Sequence, residues 1–119
     1  MNQLQTLKSF DIDKKSMIND LIEVCEINSH AYNTQGINKV ADFLITKYKT
    51  SFKNKITVET IKLDPHETIN DKAQNESHTL GEMIFIKKEV PNSKYRVMLM
   101  GHLDTVFPED SEFQKCIQA

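Results

Sequence analysis

Apolar residues recur at helical spacing twice in the first half of the chain. Ile18, Leu21, Ile22 and Cys25 follow one another at three and four residues, which predicts a helix over 14–27 with Asp13 as its N-cap. A polar connection covers 28–33. Ile37, Val40, Ala41, Leu44 and Tyr48 then share one face of a second helix, predicted over 35–49 and capped by Thr34 or Asn33. Gly36 falls in its first turn, where it weakens the helix slightly without breaking it.

The period then shortens. Ile56, Val58, Ile61 and Leu63 predict a first strand over 56–63, ended by Asp64-Pro65. The stretch 66–77 is polar and without period, and reads as a loop. A second strand is predicted over 80–90, with Met83 and Phe85 on one face and Ile84 and Ile86 on the other. Pro91-Asn92-Ser93 makes a turn. After Arg96 the run to Met100 is continuously apolar, the signature of a central strand buried on both faces. Met98 and Met100 then read as core filler. Helices followed by strands, one of them fully buried, predict an α/β fold with helices packed on a mixed or parallel sheet.

At 119 residues the chain is about one small domain, able to bury a core of modest margin. Fifteen basic and seventeen acidic residues leave a formal net charge of -2. The basic pairs Lys14-Lys15 and Lys87-Lys88 are too short for a nucleic-acid footprint. Cys25 and Cys116 form neither a metal spacing nor a redox pair, which favours a reducing compartment. No apolar run reaches membrane-spanning length and no signal core opens the chain, so a cytoplasmic protein is expected.

The chemistry gathers after the apolar run. In open α/β sheets ligands collect beyond the carboxyl ends of strands. His102 and Asp104 stand there, two positions apart, behind Gly101, which would permit a tight backbone approach. An imidazole can hold zinc through one nitrogen while a carboxylate orients the other. Asp104 could serve as that partner, although two residues is a short reach, or could point at the metal. His-x-Asp by itself is a weak signal, since strand-end histidines are more often structural. Glu109, Asp110 and Glu112 read as a solvated loop, with Cys116 the remaining conceivable ligand. His30 reads as a surface or capping residue. His66 and His78 flank the polar loop, and His66 with Asp71 could bind metal only adventitiously.

The longer string Gly101-His102-Leu103-Asp104-Thr105-Val106-Phe107-Pro108 resembles the first metal-site motif of the zinc-dependent aminoacylase/carboxypeptidase family of dimetal peptidases, with the carboxypeptidase G type of glutamate carboxypeptidase the most similar. Gly36-Ile37-Asn38-Lys39-Val40-Ala41-Asp42-Phe43-Leu44 is similar to that family's early helix, and Ser29 with the polar residues after it fits the family's entry to that helix. The resemblance covers about 18–113, with 64–77 poorly matched.

It implies a zinc-exopeptidase-like fold present only in its N-terminal part. Residues 1–119 would be a partial catalytic domain, with a loose arm at 1–13, a polar loop at 64–78 and a truncated tail at 109–119. The dimerisation or lid domain would be absent. His102 would be the first metal ligand and Asp104 the catalytic-site aspartate that orients or tunes it. The family carries two zinc ions, and its bridging carboxylate, glutamate general base and second histidine all follow the motif in the chain. The reaction implied is hydrolysis that releases a C-terminal amino acid or deacylates an N-acyl amino acid, with the isolated chain inactive because too few ligands remain. A peptide or N-acyl amino acid would be the partner, and neither nucleic acid nor membrane is expected. The alternative is a non-catalytic α/β module that keeps only the family frame and associates with itself or a partner through an exposed sheet edge. A small binding domain of coincidental similarity is a third possibility, disfavoured by the length of the octamer.

Overall fold

Helix α1 spans Lys14–Cys25 and helix α2 spans Thr34–Ser51 in the computed structural model, which describes residues 13–116. The predicted arm at 1–13 lies outside the described residues except for Asp13, as do the last three residues of the predicted tail. Asp13 caps α1 by accepting from Ser16 N at 2.9 Å. The helix stops at Cys25, two residues before the predicted end. Its face is only half-buried: Ile18, Ile22 and Cys25 are partly covered, while Met17 and Leu21 face solvent. Lys47 of α2 reaches Asp20 of α1 at 2.7 Å and Glu23 at 3.6 Å, tying the helices together.

The core belongs to α2. Gly36, Ile37, Val40 and Ala41 are buried along one face, as the helical spacing predicts. Asn33 is the cap, its side chain accepting from Gly36 N at 2.9 Å. Gly36 is required there, because a Cβ would lie 1.7 Å from the carbonyl oxygen of Asn28.

Four strands follow: β1 (Thr57–Ile61), β2 (His66–Ile69), β3 (Asn75–His78) and β4 (Met83–Lys87). β1 pairs antiparallel with β4, from Thr57 opposite Lys87 to Ile61 opposite Met83. Ile84 and Ile86 are half-buried while Met83 and Phe85 are exposed, which confirms the predicted alternation. This pair docks on α2 where Gly81 meets Ile37 and Glu82 N donates to Asn38 Oδ1 at 2.9 Å.

Three expectations are corrected. The predicted polar loop at 64–78 contains the antiparallel hairpin β2–β3, His66 opposite His78. Its turn is closed by Asn70, whose Oδ1 accepts from Lys72 N and Gln74 N at 3.0 Å, and by Ala73 at φ 57°. An exposed ribbon buries almost nothing, so it left no apolar period to read.

The run 95–100 is not a buried central strand. It is irregular and exposed, with Val97 at 84%, Leu99 at 87% and Met100 at 89%. Met98 and Met100 therefore fill no core. The apolar pattern specifies burial only where neighbouring strands exist to pair with it, and β1 and β4 pair only with each other among the described residues.

The sheet is accordingly neither parallel nor mixed. The described residues form a small mixed α/β domain of two helices and two two-stranded antiparallel sheets. The one parallel feature among them is an isolated bridge between His30 and Thr105.

Candidate metal-ligand pair

The loop before α2 organises the segment that carries His102 and Asp104. Asn28 is its hub. The Asn28 side chain donates to the carbonyls of Phe107 at 3.1 Å and Pro108 at 3.3 Å. Its Oδ1 accepts from His30 N and from Asn33 Nδ2, both at 3.2 Å, and its own carbonyl accepts from Asn33 Nδ2 at 2.9 Å. Next to it, the buried Ser29 offers its carbonyl to Thr105 N at 2.8 Å. Two regions almost eighty residues apart are thus held at the N-terminus of α2. Phe113 packs on Phe107 with ring centroids 4.9 Å apart and anchors the far end of the loop.

Upstream of this anchor His102 turns back on its own chain. Its Nδ1 lies 2.8 Å from the carbonyl oxygen of Asp104 and 3.3 Å from Asp104 Oδ1. A carbonyl oxygen can only accept, so Nδ1 carries the proton. In the neutral ring Nε2 then holds the lone pair, which is the tautomer a metal-ligating histidine uses. The hydrogen bond that orients the ring comes from the Asp104 backbone carbonyl, with the carboxylate nearby at 3.3 Å. The imidazole is 83% exposed. The Cβ position of Gly101 has nothing within 4 Å, so the expected close approach at that glycine does not occur.

The other sequence candidates do not join this pair. Among the described residues no three histidine, cysteine, aspartate or glutamate side chains are grouped as a metal would require. Cys116 and Cys25 are free, half-buried thiols. Glu109 and Asp110 instead line an open cavity of about 640 Å³ with His30, Tyr32, Asn33 and Gln35, which includes neither His102 nor Asp104. His78 stacks on Tyr32 with centroids 4.0 Å apart, and its Nε2 lies 2.9 Å from Thr68 Oγ1. That contact fixes the β2–β3 hairpin against the loop before α2, a structural use of the ring.

One imidazole with one carboxylate beside it falls short of the three protein ligands a catalytic zinc takes. The described donors fit the beginning of such a site and not a complete one, so no catalytic step is assigned to this chain. Asn28 escaped the sequence reading. An asparagine ahead of a helix cap is a common turn residue, and nothing local points to partners at Phe107 and Pro108.

No family model, no curated protein and no solved structure matches the chain. Among the described residues no helix is long and apolar enough to cross a membrane.

Proposed function

We propose that the chain carries the first-ligand segment of a zinc-dependent metallopeptidase or amidohydrolase of the aminoacylase/carboxypeptidase type. The observation that carries this reading is the His102–Asp104 pair, with Nδ1 occupied and Nε2 free. His102 is the ligand, and Asp104 is the residue that holds its ring. When bound, zinc would supply a water of lowered pKa and a Lewis acid for an amide carbonyl. The other ligands of that chemistry come from outside the described residues, and the chain alone hydrolyses nothing. What supports the reading in the fold is the small α/β frame, in which the loop before α2 braces the segment behind the motif.

The chain has four histidines, so bulk zinc binding would not discriminate. The test is a zinc titration followed by the nitrogen resonances of each histidine ring. His102 Nε2 should respond at lower zinc than exposed His66, because the Asp104 backbone carbonyl holds the proton on Nδ1. Equal response of His102 and His66 would overturn the reading.

A further inference from the structure

The pairs β1–β4 and β2–β3 share one register. Ile61 stands opposite Met83 and His66 opposite His78, with four residues between them on each strand. A slip or a bulge would have left unequal counts. Residues 62–65 therefore face 79–82 directly, yet among the described residues no backbone hydrogen bond joins them. The stretch 57–87 is one β-ribbon interrupted at a single level. Its second strand keeps two faces through the gap, since 78, 80, 82, 84 and 86 are half-buried in alternation.

The gap has a visible cause. Glu82 N donates to Asn38 Oδ1 on α2 at 2.9 Å, and Gly81 is seated against Ile37. The residues within the gap do not oppose pairing. Asn70 N donates to Gln74 O, which makes the even positions of β2 the hydrogen-bonded ones. Continued through the gap, that alternation bonds Lys62 to Glu82 and Asp64 to Leu80. Pro65, which has no N–H, falls opposite Thr79 at a position that needs none. Lys62 and Glu82 also form a cross-strand pair of opposite charge. The Glu82 N–H thus has two competing acceptors, Asn38 Oδ1 and the Lys62 carbonyl, and serves one at a time. We propose that 57–87 is a two-state ribbon. In the bent state, the one observed, Asn38 holds Glu82 and the β2–β3 arm is latched by His78 stacked on Tyr32. In the straight state 62–65 zips onto 79–82 and the arm swings off Tyr32. Tyr32 also lines the cavity with His30 and Asn33, so the arm decides whether that wall is packed or open.

The experiment is amide hydrogen exchange of the whole chain, read residue by residue by NMR. In wild type the amides of Lys62, Asp64 and Leu80 should exchange fast. Combining Asn38→Ala with Tyr32→Ala removes both holds on the bent state. Exchange at Lys62, Asp64 and Leu80 should then slow at least ~10-fold, although tertiary contacts have been deleted. The Glu82 amide should stay protected, now by the Lys62 carbonyl. Tyr32→Phe keeps the stacked ring and should match wild type. Protection inside α2 reports that the helix is intact. If the double variant loses it, Asn38→Ala alone is read in the same way, with a smaller gain. Fast exchange at Lys62, Asp64 and Leu80 in the variant with α2 intact, together with a newly exposed Glu82 amide, would overturn the proposal. So would slow exchange at those three amides already in wild type, because the ribbon would then have a single state.

Discussion

Gly81 lies so close to Ile37 that a Cβ on residue 81 would sit 2.4 Å from Ile37 Cγ2 and 2.7 Å from Ile37 Cβ. The contact joins the β1–β4 pair to the most buried stretch of α2. Shortening Ile37 would not make room, because its Cβ is itself in the way. Gly81→Ala must therefore push the strand pair off the helix. We expect a loss of ~1–3 kcal/mol, typical of overpacking, read from the urea midpoint at unchanged slope. An unchanged midpoint would mean that the strand pair does not bear on α2.

Asn28 predicts a different failure. Its Nδ2 donates to two carbonyls, at Phe107 and Pro108. Asn28→Asp keeps the size and replaces that donor with a charged acceptor facing two other acceptors. The loop behind His102 should detach while α2 stays folded. Amide exchange at Thr105, whose N–H is held by Ser29, reports this directly and should accelerate. Exchange inside α2 should change little. Equal protection at Thr105 in both proteins would show that the Asn28 side chain does not hold the loop.

Lys47 sets a pH dependence. The hydrogen bond to Asp20 raises its pKa, helped by the charges of Asp20 and Glu23 and opposed by desolvation. A raised pKa means that the ammonium form is favoured by folding. Its contribution is complete below the ordinary lysine value and is lost as the pH rises through the elevated one. The stability difference between wild type and Lys47→Met should be constant through neutral pH and close in strong alkali. It should also shrink with added salt, because the pair is open to solvent. Thermal unfolding at several pH values checks both. A difference that persists in strong alkali would assign the effect to packing of the lysine stem.

Several features were legible from spacing alone. The two helices, the Asp13 cap, the buried face of α2 and the opposite faces of β4 all follow from local period and capping chemistry, while the structure chose Asn33 over Thr34 as the second cap. The hairpin β2–β3 was not legible, since the one apolar residue in His66–Ile69 and Asn75–His78 is Ile69, which is exposed. Its only cue was Asn70 and the turn after it. The His102–Asp104 pair was legible as a motif but ambiguous in geometry. The structure shows the aspartate reaching Nδ1. Asn28 was invisible, because its importance depends on partners distant in the chain.

What the sequence determined by itself is therefore local: which stretches are helical, where they start, and which residue types could ligate a metal. Those properties depend on interactions within a few residues. Tertiary structure decided the rest. It placed Ser29 against Thr105 and fixed the Nδ1 proton of His102 through a carbonyl oxygen. It left 95–100 in solvent despite an apolar pattern. Hydrophobicity sets only a tendency to be buried, and a strand realises it when a neighbour offers both a hydrogen-bonding edge and a face to cover.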